Sequence, residues 1–563
     1  MRKTILSAML LGTVTLTALA QLPEVILGPG LNSGRTQFNQ TWDRTLSSDT
    51  AYVLTGLYYV DSTYSLTIEP GTVVFGDTAA TLIVSRGAQI FAMGAPTNPV
   101  VFTSNKAAGA RQPGDWGGVI LLGRAPLNKV EPLIEGGIIG GTFGGTDPND
   151  NTGVFKYVRI EFAGYRFQLN NEVNGLTLGG VGRGTELHHV QVSYSFDDSY
   201  EFFGGTVEPK YLVAFAGTDD EFDTDFGFAG KVQFGFGLRD PNYWDPTGES
   251  NGFESDNDGS STSTDVPYTS VVFSNMTLVG PARVDGLVGS LPPANKFQYS
   301  AVLRRSTRES IFNSVIAGYP WGLSIRDQFT IDAANSDTLR IRNLSLAAFT
   351  TPSAGMSTVN DTARWAGVTT WFTTPAYNNI GAAPRNPSTV GLTDMTDLNN
   401  PNPVPATGSE LIGSADFSNS YLASGFDVVT YRGAFDPSKP MAQQWTAGWT
   451  NFNPQGTDYD TPVFTGVAEL PTDGQPEVYA LEQNYPNPFN PSTTIRFSLP
   501  LRDRVTLKVF NMLGQEVATL IDADLLAGTY EATFDASRLA TGVYIYRLQT
   551  NSFTQTMKML LVK

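Results

Sequence analysis

Three short acidic segments in the middle of the chain share one pattern of residues. They span 197–204, 219–227 and 250–259. When the segments are aligned on one aromatic position (Tyr200, Phe222 or Phe253), a carboxylate directly follows it in every segment. The candidate metal ligands are Asp198, Glu201, Asp220, Asp223, Asp225, Glu254 and Asp256. Carboxylates are hard oxygen ligands, and Ca²⁺ accepts roughly six to eight such oxygens in loose geometry.

The spacing of these carboxylates depends on the element that carries them. In stacked parallel strands, equivalent residues of successive strands lie about 4.8 Å apart. At that distance two unit charges repel by about 1 kcal/mol even in water, and by more when desolvated. Two interpretations of the column Glu201, Asp223 and Glu254 remain open. Either the acids bind a cation, with Ca²⁺ as the expected ion, or they lie in solvated turns, point apart and cap N–H groups of neighbouring coils.

The sequence excludes most other site chemistry. It has no cysteine, so thiolate sites lack their residues, and with only two histidines, His188 and His189, a Ser-His-Asp triad or a three-His metal site has almost no residues to draw on. Adjacent strand residues face opposite sides, so these histidines do not readily bind one ion, and His189 is expected to be exposed. Arg304 and Arg305 are expected to carry charges on the outside of an ordinary strand pair. No catalytic residue is assigned.

Composition describes an acidic, strand-rich protein. The 563 residues include 36 Lys and Arg against 54 Asp and Glu, so the net charge is −18. A pI near 4.6 argues against nucleic acid as a partner, because phosphate binding requires a positive surface. The charged fraction of 16%, with 57 glycines and 34 prolines, favours many short strands joined by tight turns.

The body of the chain repeats one theme of short apolar strands and turns. Alternating segments occur at 66–75, 190–194, 211–215, 271–278 and 339–344, and the step from Val190 to Tyr211 is 21 residues. Repeats of this length, whose strands cannot bury their faces alone, indicate a solenoid. The prediction is an all-β fold with a right-handed parallel β-helix, and a β-sandwich is the alternative.

The two ends differ from this body. Met1-Arg2-Lys3, an apolar run and the small residues Ala18 and Ala20 predict a signal peptide over 1–20. No membrane segment is expected in the mature chain. The predicted divisions are a β-helix body at 21–460 with a loop excursion near 350–402, a Pro-rich linker at 461–478, and a small Ig-like β-sandwich at 479–563.

The C-terminal stretch carries five ordered motifs: PNPFNPS, LGQEV, LxxGxY, GVYIYRL and a basic end. Their key residues are Pro486, Asn487, Pro488, Gly514, Gly528, Tyr530, Gly542, Tyr544, Arg547 and Lys563. These motifs resemble the type A C-terminal sorting domain of the type IX secretion system of Bacteroidetes. The resemblance implies the secretion machinery as a partner, passage across the outer membrane, and then removal of the domain or its use in surface attachment. A generic Ig-like accessory module is the alternative.

The body also resembles a family of exported β-helix proteins from the same bacteria. The phrases LTIEPGTVV, GDWGGVILLG, VRIEFAG, SNGFESDND and WTAGWTNFNP carry this resemblance, which implies fold and location.

Two functional classes stay open. One is a non-catalytic adhesin, surface-layer or glycan-binding component with other surface proteins or extracellular glycans as partners. The other is a Ca²⁺-assisted polysaccharide lyase or glycoside hydrolase. The scarcity of histidine, the low charge and the repetitive body favour the first class.

Truncating the chain at about Pro471 tests the role of the C-terminal stretch. The shortened protein should fold, because the C-terminal strands have an alternating pattern of their own, but it should stay in the periplasm. Cell fractionation of a host with a type IX system measures this. Normal appearance of the truncated chain at the cell surface would contradict the sorting assignment.

Overall fold

The computed structural model describes residues 24–28, 36–136, 138–168, 171–246, 250–260, 262–282, 296–348, 360–395, 397–459, 467–470, 476, 478–501, 503–525, 528–536 and 539–563. The predicted signal peptide and most of the predicted linker lie outside the described residues. Within these ranges, no helix combines the length and the apolar character needed to cross a membrane.

The body consists of short strands with few helices. Its strands are β1 (Glu24–Leu27), β2 (Gln37–Gln40), β3 (Arg44–Leu46), β4 (Ala51–Leu54), β5 (Leu57–Val60), β6 (Ser65–Ile68), β7 (Val73–Gly76), β8 (Thr81–Val84), β9 (Gln89–Met93), β10 (Val100–Ser104), β11 (Gly118–Leu122), β12 (Gly153–Glu161), β13 (Arg166–Gln168), β14 (Asn171–Glu172), β15 (Leu176–Gly179), β16 (Glu186–Ser193), β17 (Tyr200–Phe203), β18 (Lys210–Phe215), β19 (Phe222–Asp225), β20 (Lys231–Leu238), β21 (Phe253–Ser255), β22 (Val272–Ser274), β23 (Thr277–Val279), β24 (Tyr299–Leu303), β25 (Ser310–Phe312), β26 (Val315–Ala317), β27 (Trp321–Ile325), β28 (Ile341–Arg342), β29 (Ser345–Ala347), β30 (Leu392–Asp394) and β31 (Asn402–Pro405). The α-helices are α1 (Gln328–Asn335) and α2 (Val368–Phe372), and 3₁₀ turns span Pro375–Tyr377, Pro387–Val390, Ser420–Leu422 and Met441–Gln443.

Two long parallel sheets form the body. A ten-stranded sheet has the order β2-β5-β8-β11-β15-β17-β19-β21-β24-β27, and a second sheet has 17 strands. Each neighbour in the ten-stranded sheet comes from the next coil of the chain and pairs in parallel with the one before it. This arrangement confirms the predicted parallel β-helix.

Successive coils stack in register, so equivalent side chains form columns. Tyr200 pairs with Phe222, and Phe222 pairs with Phe253. Their rings stack at centroid distances of 5.3 and 5.7 Å, and all three are fully buried in the core between the sheets. The alignment of the acidic segments on these aromatic residues is confirmed.

The predicted strand at 271–278 is two strands, β22 and β23, separated by a bend. Asn275 lies at the bend with a φ of +57°, in the left-handed region that asparagine tolerates better than most residues. Asn313 and Asn343 occupy the equivalent bends of the next coils, also with positive φ. The Asn343 side chain donates to Oδ1 of Asn313 at 3.2 Å, so the bends are joined by an asparagine ladder.

The described part of the predicted excursion near 350–402 packs on the end of the solenoid. Val368, Trp371 and Phe372 of α2 are buried against the core. Ile380 then makes a parallel bridge with Ser345 of β29. This segment therefore caps the last coil and covers apolar side chains that have no further coil to pack against.

Residues 397–459, the return segment, run back along the outside of the 17-stranded sheet. Gly433 donates to the carbonyl of Asn313 at 2.8 Å, whereas Asn451 donates to Oε1 of Gln191 at 2.8 Å. Near its end, the carbonyls of Pro454 and Thr457 accept from Arg111 at 3.0 and 2.7 Å. The return segment is therefore held on the sheet by hydrogen bonds to residues of both the late and the early coils.

His189 is not exposed as expected. Its ring lies between those of Tyr157 and Tyr211, with both centroid distances at 4.4 Å, and Trp449 of the return segment packs on it at 5.7 Å. A φ of +54° rotates the residue out of the simple alternation of β16. Burial lowers the pKa of His189 to about 3, so the ring is neutral at physiological pH.

The C-terminal domain is a sandwich of two antiparallel sheets. Its strands are β32 (Val467–Leu470), β33 (Ala480–Leu481), β34 (Ser492–Leu499), β35 (Asp503–Asn511), β36 (Glu516–Leu525), β37 (Gly528–Asp535), β38 (Gly542–Gln549) and β39 (Thr554–Leu561). One sheet has the order β32-β37-β34-β33 and the other β36-β35-β38-β39, around a separate core that includes Tyr530 and Tyr544. Gly514, with a φ of +78°, makes the turn between β35 and β36.

Since β32 pairs with β37, it belongs to this sandwich although it lies in the predicted linker at 461–478. A truncation that removes every strand of the sandwich must therefore end before Val467.

Candidate cation-binding site

The acidic site lies on the outer face of the ten-stranded sheet, at β17, β19 and β21. Alternation along each strand turns the aromatic residue into the core and the next residue outward. Glu201 pairs with Asp223, and Asp223 pairs with Glu254, so these carboxylates form a column across three coils. We call this column and the acids beside it the carboxylate ladder.

A second column, Asp198, Asp220 and Asn251, lies two residues before the aromatic position and is held by hydrogen bonds between coils. Oδ1 of Asn174 accepts from the backbone N–H of Asp198 at 3.2 Å, and Oδ1 of Asp198 accepts from Asp220 at 2.8 Å. Oδ1 of Asp220 accepts from Asn251 at 2.5 Å. Asp198 and Asp220 therefore do cap neighbouring coils, but each uses one oxygen for this bond and has a second oxygen.

Among the described residues, five carboxylates of the two columns and two from the preceding turns form three overlapping triads. The triads are Asp197, Asp198 and Asp219; Asp198, Glu201 and Asp223; and Asp220, Asp223 and Glu254. In each triad the candidate ligand atoms lie within 4.8 Å of one another. Asp198 and Asp223 each belong to two triads, so neighbouring triads share a ligand.

Two of the predicted ligands lie outside these triads. Oδ1 of Asp225 accepts from the backbone N–H of Phe226 at 2.6 Å. Asp256 is paired with Arg304 at 2.8 Å and also with Arg305. Asp197 and Asp219 belong to a triad although the alignment did not select them, because they lie in the turns just before the column positions.

The acids are not in solvated turns, so that part of the alternative interpretation is wrong. Asp198, Glu201 and Asp220 are buried, and Asp223 and Glu254 are half-buried. Burial raises the pKa of Asp220 to about 7 and that of Glu254 to about 8, and neighbouring charges add to or offset this effect. Burial and the adjacent carboxylates raise the pKa values of Asp198, Glu201 and Asp223 well above the ordinary range.

Asp223 is the centre of the ladder. It pairs in register with Glu201 on one side and Glu254 on the other. Its Oδ1 atom is buried and has no hydrogen-bond partner among the described residues. A buried carboxylate oxygen without a partner is costly, so this atom is suited to a cation that lies between the coils.

Arginine closes one end of the ladder. Arg304, which follows β24, pairs with Glu254 and with Asp256. Burial lowers the pKa of Arg304, but the carboxylates of Glu254 and Asp256 raise it by more, so the net shift is upward. Arg304 and Arg305 do carry their charges on the outside, as expected, but both also pair with acids of this site, which the sequence did not predict.

A loop from an earlier coil closes the other end. The Asn174 side chain donates to Glu201 and, at 3.1 Å, to Oε1 of Glu135. Ile134 and Ile138, on either side of Glu135, are buried on the ten-stranded sheet and hold the loop there. Burial raises the pKa of Glu135. The sequence did not predict Glu135 as part of the site, because this residue belongs to an irregular loop with no repeat to align.

Two family models match the chain. A pectate-lyase-like β-helix domain matches residues 37–389, which is more than half of the chain. A secretion-system C-terminal sorting domain matches residues 483–563. No curated protein matches. The sorting domain confirms the predicted localisation at the cell surface or outside the cell, and it implies the type IX secretion machinery as a partner.

The metal-free protein should lose stability as the pH rises from about 4 to 8. Carboxyls such as Asp220, Asp225 and Glu254 have folded pKa values of about 7, 8 and 8, against ordinary values of 3.8 to 4.5. In this window the folded state keeps protons that the unfolded state has released, so raising the pH favours unfolding. Denaturant unfolding in chelator, at a series of pH values, measures how the free energy of unfolding changes with pH. Stability that rises across the window would contradict the buried ladder.

Proposed function

Since this chain belongs to the pectate-lyase-like β-helix family and carries a type IX sorting domain, we propose that it is a non-catalytic surface adhesin that binds Ca²⁺ in its carboxylate ladder. The β-helix acts as a rigid platform, and the bound ion provides a docking point for acidic extracellular glycans. The main support for this proposal is that Asp223 belongs to two triads and has a buried Oδ1 without a hydrogen-bond partner among the described residues.

Ca²⁺ fits the ladder better than other common ions. The triads contain only carboxylates, whereas Zn²⁺ prefers nitrogen and sulfur ligands. The ligand oxygens of each triad lie within 4.8 Å of one another, so one ion can contact all three, and the flexible coordination of Ca²⁺ tolerates the spacing that the strands impose. Mg²⁺ requires shorter bonds of about 2.1 Å and a near-ideal octahedron, which a repeating column of strand residues does not supply.

The ion would remain accessible at the surface. Asp223 and Glu254 are half-buried, so one side of the ladder faces solvent. An acidic glycan has carboxylate oxygens of its own, and Ca²⁺ accepts more oxygens than one triad provides. A net charge of −18 would otherwise repel such a glycan, so the ion is needed to join the two.

Neither arginine nor histidine is available as the base of a lyase in the described part of this site. Abstraction of a proton by arginine requires a guanidine that readily loses its own proton. Arg304 is paired with Glu254 and Asp256, and its pKa is raised, so it stays protonated. His189 lies on the other sheet within an aromatic stack. These observations favour binding over elimination chemistry.

Ca²⁺ should raise the melting temperature, and Asp223→Asn should remove most of this effect. If the ion binds only the folded state, it stabilises by about 2.7 kcal/mol at a hundred times its Kd. The variant loses one charge and one ligand, so it should also respond less to chelation. Thermal melts of both proteins with Ca²⁺ and with chelator measure this. Asp332→Asn, in an exposed carboxylate of α1, is the matched control and should behave as the parent.

Equal melting temperatures in Ca²⁺ and in chelator for the parent protein would refute the cation site. A calcium effect of the same size in the parent and in Asp223→Asn would place the ion elsewhere.

Binding to an acidic polysaccharide should require Ca²⁺. Isothermal titration calorimetry of the mature protein with polygalacturonate should give binding in Ca²⁺, at least about tenfold weaker binding in chelator, and no binding of neutral dextran. Asp223→Asn should behave like the chelated parent, and Asp332→Asn like the parent in Ca²⁺. Release of unsaturated sugar products during the titration would contradict the non-catalytic assignment and support the lyase.

A further inference from the structure

A separate cavity of about 540 Å³ lies on the early coils, beyond the ends of β5, β8 and β11. The side chains of Ser62, Arg86, Arg124, Thr146 and Asp147 and the backbone at 144–145 line it. We infer that this cavity binds an oxyanion, a sulfate, phosphate or carboxylate group, carried on a saccharide. The proposed Ca²⁺ site plays no part in this inference.

Stacking of the coils places Arg124 in the cavity. Leu121 of β11 pairs with Val84 of β8, and Arg124 and Gly87 lie three residues further along these two strands' segments. A Cβ atom on Gly87 would lie 2.1 Å from Nη2 of Arg124 and 3.0 Å from Oγ of Ser62. The guanidinium therefore lies where a side chain at position 87 would begin, and the hydroxyl of Ser62 lies near the same point.

The two arginines have donors available to a ligand. Arg86 donates to the carbonyl of Gly144 at 3.0 Å and lies 3.3 Å from the exposed carboxylate of Glu131, a pair that solvent screens. The guanidinium of Arg124 makes no hydrogen bond or ion pair with any part of the chain that the structure describes. The carboxylate of Asp150 is close enough to interact with its charge. Arg124 is exposed, so its donors are accessible.

The lining matches an oxyanion in shape and charge. A guanidinium presents parallel N–H donors that suit the oxygens of sulfate, phosphate or carboxylate, and the hydroxyls of Ser62 and Thr146 can donate to the remaining oxygens. The volume is larger than one inorganic ion needs and suits a charged sugar unit. Asp147 also lines the cavity and would repel the anion, so it weakens the site.

Calorimetric titration of the full mature chain in chelator tests the site with two probes, sodium sulfate and sulfated dextran oligosaccharide, against neutral dextran. We expect the sulfated oligosaccharide to bind and the neutral one not to. Arg124→Gln should weaken binding roughly tenfold or more, because a charge-assisted donor is lost. Asp147→Asn should tighten it severalfold, because a repulsive charge is removed. Arg364→Gln is the matched control and should bind as the parent, because Arg364 is exposed and lies in the segment that caps the last coil of the β-helix.

The binding results of the two probes support or refute the oxyanion site as follows. Binding of both probes with loss in Arg124→Gln supports an oxyanion site that also accepts the free ion, and binding of the oligosaccharide alone assigns the group to a glycan. Absence of binding by either probe, or equal binding by Arg124→Gln and the parent, would overturn the site. Because all titrations are done in chelator, failure here leaves the Ca²⁺ proposal untouched.

Discussion

Equivalent residues of successive coils stack in register, and this repetition shapes both the core and the outer face of the β-helix. It aligns Tyr200, Phe222 and Phe253 as a continuous aromatic column, and one residue further on it aligns Glu201, Asp223 and Glu254. For apolar rings this repetition adds buried contact with each coil. For carboxylates it adds repulsion with each coil. The same geometry therefore stabilises the core and places mutually repelling carboxylates on the outer face of the sheet.

The protein relieves this repulsion in several ways. Asp198 and Asp220 each give one oxygen to a backbone N–H of the next coil. Arg304 neutralises the end of the ladder near Glu254. Burial favours protonated carboxyls, which lowers the charge at moderate pH. None of these devices supplies a partner for Oδ1 of Asp223, the buried atom at the centre of the ladder. A cation there would relieve the repulsion of two triads at once.

The sequence predicts what repetition encodes and misses what irregular segments contribute. Alternation and the aromatic alignment predict the β-helix and the column through Asp223, and ordered motifs predict the sorting domain. Glu135 reaches the site on an irregular loop, and Arg304 follows a strand end, so neither has a repeat to align. The burial of His189 depends on a positive φ and on the return segment, which is distant in sequence. Glu135 and Arg304 close the two ends of the ladder from segments outside its three strands, which strand periodicity alone could not show.

A crystal structure of the protein grown with Ca²⁺ would locate the ion and its ligands together by anomalous scattering. If the ladder binds Ca²⁺, an anomalous peak should lie within about 2.3 to 2.6 Å of Oδ1 of Asp223 and bridge carboxylates of at least one of the two triads of Asp223. A well-ordered ladder in millimolar Ca²⁺ with no peak at Asp223, and with protonated carboxyls bonded to one another instead, would contradict the proposed Ca²⁺ site.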